Sequence, residues 1–259
     1  MRARHATPLV VLVLTMTVSA VFAADTVPAS APEAKTPAAA ATAGGPNSAM
    51  NAPKIDALVP LPISGLKAVV SNDELLYISD NGRYVLRGVM YDAWDQKPLK
   101  SLDDIRESAT HINLAKMHID TADFKPLAYG KGREHITVFV DPKCPWCARL
   151  MQQIKDKPEL ARQYTFDLVP IPVLGAESQR LVRELGCARD RKAALEALMS
   201  ENYGRPLEPE NDCTLQHVQK SMVAAQLLGV TGVPFMIHQD GRVQRGMPQV
   251  LGDWLVAKR

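Results

Sequence analysis

Much of what marks a recognisable active site is missing from this 259-residue chain. The six histidines (His5, His111, His118, His135, His217 and His238) fall in no H-E-x-x-H and no other paired ligand spacing. Each therefore reads as a surface or satisfied core histidine rather than a metal ligand. No serine stands in a G-x-S-x-G, so serine hydrolase chemistry has no support. Of the four cysteines, Cys187 and Cys213 form neither a second C-x-x-C nor a C-x-x-H. A structural zinc site then lacks its second half, and no metal or other cofactor is expected. Met199, Met222 and Met236 read as core filling. No internal repeat is visible. The apolar run from Leu9 to about Phe22 spans about 15 residues, short of the ~20 that cross a bilayer.

That run reads as a leader. Arg2, Arg4 and His5 precede it, and Val21-Phe22-Ala23 closes it with small residues at the −3 and −1 positions of a cleavage site after Ala23. A signal peptide is expected at 1–23, and no cysteine after the cut suggests a lipid anchor. Without those residues, 28 basic side chains face 28 acidic ones. A neutral protein gives no argument for nucleic-acid or membrane binding. Residues 25–53 hold ten alanines and five prolines and almost no large apolar side chains. Such a segment buries too little to offset ordering entropy, so 24–53 reads as a tether.

Beyond it the pattern is first β and then mixed. Leu75-Leu76-Tyr77-Ile78 and Tyr84-Val85-Leu86 flank Asp80-Asn81-Gly82, a hairpin signal because Asn-Gly accepts positive φ. Val69-Val70 suggests a third strand. A helix is expected over Leu102 to Met117, with Ser101 as N-cap and Asp104 three residues on. A second strand–turn–strand follows later, Phe235-Met236-Ile237 and Arg242-Val243 around Gln239-Asp240-Gly241. Between them lie a strand from Tyr164 to Val173 and helices over Ser178–Gly186, Asp190–Tyr203 and Leu215–Leu228, with a terminal helix opened by Pro248.

The chemistry concentrates at Cys144-Pro145-Trp146-Cys147, directly after the apolar run Ile136-Thr137-Val138-Phe139-Val140. Cys147, Leu150, Met151 and Ile154 continue at helical spacing. Pro145 suits the first helical position, which places Cys144 at the N-cap, where free amides and the helix dipole favour a thiolate. Lys143 adds a cation, so Cys144 is the expected nucleophile with a lowered pKa, and Cys147 the resolving thiol. A purely structural disulfide across so small a ring would constrain the unfolded chain little. Position 138, six before Cys144, is valine, so the buried carboxylate of thioredoxin is missing there. Asp141 reads as a helix-entry cap or a solvated turn residue, with tuning of the thiols as the alternative.

Phe139-x-Asp141-x-x-Cys144-Pro145-Trp146-Cys147, Gly232-Val233-Pro234 and Gly88-Val89-Met90-Tyr91-Asp92 behind the first hairpin resemble the DsbC/DsbG family of periplasmic thiol:disulfide interchange proteins. The resemblance covers about residues 60 to 259. It implies an α+β chain in three parts: a cystatin-like dimerisation domain at 54–112, a helical linker at 113–132, and a thioredoxin fold with a helical insertion at 133–259. It further implies a periplasmic homodimer that isomerises or reduces wrong disulfides in exported proteins and is itself kept reduced by a membrane reductant of the DsbD type. Cys144 and Cys147 would be catalytic, with Val233, Pro234, Pro145 and Trp146 contacting substrate. The family assigns Pro234 a cis peptide bond, where spacing alone leaves cis and trans open. It also pairs Cys187 with Cys213 in a structural disulfide. Val233 departs from the threonine usual in DsbC-type proteins and matches oxidases of the DsbA type. A dithiol oxidase is therefore a second reading, and a dimeric holdase chaperone whose cleft binds unfolded chains is a third.

Overall fold

The largely apolar run Leu66–Ser71 and the segment Glu74–Ser79 form strands β2 and β3, joined through Asn72 and Asp73, both at positive φ. The computed structural model describes residues 55–61, 63 and 65–257, so the expected leader at 1–23 and tether at 24–53 lie outside the described residues. Strands β1 (Ala57–Pro60) and β4 (Val85–Arg87) complete an antiparallel meander in the order β1-β2-β3-β4. Val59, Ala68, Tyr77 and Leu86 stand opposite one another across the four strands. A short hairpin follows, β5 (Met90–Asp92) with β6 (Lys97–Leu99). Helix α1 (Leu102–Thr110) then closes one face, Ile105 packing with Val59, Ala68, Tyr77 and Leu99.

Helix α1 begins where the capping box predicts: Ser101 Oγ accepts from Asp104 N, and the Asp104 carboxylate accepts from Ser101 N. It ends earlier than the expected Met117. His111 turns extended, and Ile112 N donates to Gly241 O at 2.7 Å, stitching the connector to the far hairpin. A Cβ on Gly241 would lie 2.8 Å from Ile112 O, so this approach needs glycine. Ile112, Leu114, Met117 and Ile119 pack on the second half of the chain instead of continuing a helix.

That second half is a five-stranded sheet of β7 (Leu127–Gly130), β8 (Glu134–Val140), β9 (Tyr164–Pro170), β10 (Phe235–His238) and β11 (Val243–Arg245), in the order β11-β10-β8-β9-β7. Strand β7 lies within the span read as linker, yet it pairs antiparallel with β9. Only β8 and β9 run parallel, and helices α2 (Pro145–Asp156) and α3 (Pro158–Gln163) form the crossover such a pair requires. Pro158 opens the second of these helices, at the first-turn position proline suits. A Cβ on Gly132 would fall 1.9 Å from the Gln163 carbonyl, so glycine lets the chain enter β8 against the end of α3.

Strand β8 is buried on both faces, which is why it reads as a continuous apolar run. Ile136, Val138 and Val140 face the core containing α2, while Phe139 faces Phe124, Phe235 and Ile237. Between β9 and β10 lie α4 (Ala176–Cys187), α5 (Arg191–Ser200) and α6 (Gln216–Leu227), and α7 (Leu251–Val256) closes the chain. This is a thioredoxin fold with a helical insertion, beside an antiparallel α+β unit. Met199 and Met236 are core residues, but Met222 is 47% exposed, on the face of α6 that also exposes Val223 and Leu227.

Candidate active site

Parallel strands put their C-terminal ends at one edge of a sheet, and binding sites form there. At that edge β8 delivers residues 141–147 and β9 delivers 171–175. The antiparallel β10 begins there with Gly232-Val233-Pro234. Three loops therefore surround the thiols.

Cys144 occupies the N-cap of α2 with Pro145 at its first turn. Its side chain caps no amide; instead Cys144 Sγ donates to Val233 O at 3.5 Å. The Val233–Pro234 peptide is cis. Cys144 is only 6% exposed, and Cys147, one turn in, is fully buried. Both are free thiols. Burial pushes the Cys147 thiol well above the ordinary range, and a backbone hydrogen bond from Asp141 pulls only partly against it. Pro145 and Trp146 are exposed, and the Arg149 guanidinium sits 5.9 Å from the centre of the Trp146 ring. Val233 is half-buried and Pro234 is buried. Among the described residues no His/Cys/Asp/Glu cluster could hold a metal ion.

Asp141 is neither a solvated turn residue nor a cap of α2. It is fully buried, and its carboxylate accepts from Lys143 N (2.8 Å), Ser178 Oγ (2.7 Å), Val173 N (2.7 Å) and Leu174 N (2.9 Å). Tyr203, just past the end of α5, donates its hydroxyl to Pro142 O at 3.2 Å. Burial, with the charges of Glu201, Asp141 and Cys147 behind it, raises the phenol's pKa, so that hydroxyl stays a donor. Sequence spacing pointed to Asp141 but gave no signal for Ser178, Tyr203 or the Val173-Leu174 amides, because those contacts close only in the fold.

Cys187 and Cys213 lie apart from the thiols, bonded to each other across 26 positions with Cα atoms 5.5 Å apart. The bond ties the end of α4 to the segment entering α6. In the chain-entropy account a loop of this length contributes about 3.5 kcal/mol.

A buried and a nearly buried thiol on the first turn of a helix, at the mouth of a thioredoxin sheet, define a dithiol exchange protein. The family described as "Thioredoxin-like domain" matches residues 126–249, and the one described as "Disulfide bond isomerase protein N-terminal domain" matches residues 33–102, starting inside the span read as a tether. The Thiol:disulfide interchange protein DsbC of Escherichia coli is 26% identical over 189 residues, covering 72% of this chain and 74% of that protein. The protein of the same name from Dickeya dadantii is 27% identical over 187 residues, 71% of this chain and 73% of its own. The Probable thiol:disulfide interchange protein DsbC of Bordetella avium is 26% identical over 194 residues, 75% of this chain and 65% of its own. The chain is thus similar to DsbC-type thiol:disulfide interchange proteins in both of its matched regions and is a thiol–disulfide oxidoreductase.

Proposed function

We propose that the protein is a periplasmic disulfide isomerase and reductase, acting on misoxidised exported proteins. The observation that carries this reading is the pairing of Cys144, at the helix N-cap beside Val233 O, with a deeply buried Cys147. The Cys144 thiolate attacks one sulfur of a substrate disulfide. That S–S bond breaks, the other substrate sulfur leaves as a thiolate and takes up a proton, and a mixed disulfide remains. A second substrate thiolate then displaces Cys144, which rearranges disulfides with no net change in oxidation. Alternatively Cys147 displaces it, leaving the substrate two electrons richer and a Cys144–Cys147 disulfide. A raised Cys147 pKa slows the second route, because only the thiolate attacks. Repeated use of that route requires re-reduction of the pair, the role we assign to a membrane thiol reductant of the DsbD type. The basic leader and the family support the periplasm as the place of action.

The protein works as a homodimer joined along β4. That strand pairs only with β3 among the described strands. It carries Val85 and Leu86 at 54% exposure each, between Tyr84 at 57% and Val89 at 64%. Leu86 stands opposite the buried Tyr77, so it shares the core face of the sheet, beyond the cover of α1, which packs on β1 and β2. An unpaired apolar edge of this kind is a template for a second strand, and isologous pairing of two copies supplies one.

The direct test is regain of activity by a scrambled multi-disulfide protein with the reduced protein present well below stoichiometry. Multiple turnovers without net thiol consumption support isomerisation. Recovery that needs the oxidised protein, one disulfide donated per molecule, contradicts it and makes the chain an oxidase, as Val233 would suit. Aggregation suppression alone, surviving loss of both thiols, would leave the holdase reading.

A further inference from the structure

The Val173-Leu174 loop is the third member of the active-site edge, and nothing in the exchange chemistry uses it. Its side chains are 46% and 54% exposed. Its backbone, by contrast, is tied down: both amides donate to Asp141 Oδ2, while Asp141 Oδ1 accepts from Lys143 N and Ser178 Oγ. A carboxylate offers about four lone-pair sites, and these four donors fill them. Asp141 thus accepts from both loops at once. It is an anchor between the loop that carries the nucleophile and the loop that carries the apolar pair. Asp141 O also accepts from Cys144 N at 3.0 Å, so the same residue grips the nucleophile's own backbone.

We propose that Val173 and Leu174 select polypeptides with apolar residues beside the reacting cysteine, and that Asp141 is the positioning residue that holds this pair at the site. The proposal rests on the thiol–disulfide reading above. A chain in mixed disulfide with Cys144 lies at the edge where the three loops meet. Trp146 on the nucleophile's helix and Leu174 on the loop anchored by Asp141 are both exposed, and on this proposal they are what the residues flanking that cysteine meet. Apolar side chains gain by leaving water there.

Two disulfide peptides that differ only beside the cysteine, one flanked by leucine and one by serine, test this on the full chain. The leucine peptide should be reduced with about tenfold higher kcat/KM, the gain a partly buried leucine supplies, expressed mainly in KM. Val173→Ser with Leu174→Ser should bring the ratio of the two kcat/KM values close to one, and Asp141→Asn should lower it as well. The ratio does not depend on how much of a variant is folded, so mere destabilisation does not move it. No preference in the unaltered protein, or a preference that survives the double change, overturns the proposal. A ratio lowered by the double change but untouched in folded Asp141→Asn overturns the positioning role. Failure of the unaltered protein to reduce either peptide overturns the thiol–disulfide reading instead.

Discussion

Cys144→Ala is expected to reduce disulfide exchange to the uncatalysed rate, both for isomerisation of a scrambled protein and for reduction of a peptide disulfide. Cys144 is the thiol at the N-cap that meets the carbonyl of Val233, and Cys147 is too deeply buried to replace it. Cys147→Ala should behave differently. It keeps the attack and loses the internal escape, so mixed disulfides accumulate on Cys144 and appear on non-reducing gels as complexes that dithiothreitol dissolves. Reduction stops after one turnover, while isomerisation continues wherever a substrate thiol can complete it. The pH dependence follows from the burial of Cys147. A raised pKa means a smaller thiolate fraction at neutral pH than a free cysteine has, and that fraction grows as pH rises. In Cys144→Ala, alkylation of Cys147 at pH 7 should therefore be slower than that of a free thiol, and it should keep accelerating above pH 9. Equal loss of function from both alanine changes would contradict the assigned order of attack.

A lysine at each of positions 85 and 86 is expected to convert the dimer into monomers. Val85 and Leu86 lie on the open edge of the first sheet, where inserted charge blocks strand pairing. Loss of their burial costs about 3 kcal/mol per copy. Two-fold symmetry doubles that, so the dissociation constant should weaken roughly 10⁴-fold. Sedimentation equilibrium reads the change directly. The dithiol site is built wholly from the second sheet and its helices, so reduction of a peptide disulfide per thiol pair should persist in the monomer. A variant that sediments as the unaltered protein does would show that β4 is not the joining edge.

Much of this architecture is legible in the residues, and the gaps have physical reasons. Asp80-Asn81-Gly82 and Gln239-Asp240-Gly241 mark turns because their side chains and φ preferences act locally, and strands do flank both. Cys144-Pro145 marks the start of α2 for the same local reason. Strand β1 escapes notice because four residues ending in Pro60 carry too little alternation, and its pairing with β2 is a tertiary event. The β5–β6 hairpin has three-residue strands and turns through Asp92, whose carboxylate accepts from the amides of Trp94 and Asp95. The helical pattern beyond Thr110 is real as an apolar pattern, but the sheet, not a helix, uses it. Asp141 shows the limit most clearly. A carboxylate three residues before a cysteine is visible in the sequence, whereas the donors at 173, 174 and 178 converge on it only once β9 lies beside β8.

The central claim is that Cys144 and Cys147 operate as a reduced pair, and its most direct test is their redox state in the cell. Rapid acid quenching of cells followed by thiol trapping of the protein resolves it, with Cys187–Cys213 as the oxidised internal standard. A pair found mostly reduced, beside that intact disulfide, is the predicted result. A pair found mostly oxidised would contradict the isomerase account and assign this fold to disulfide donation.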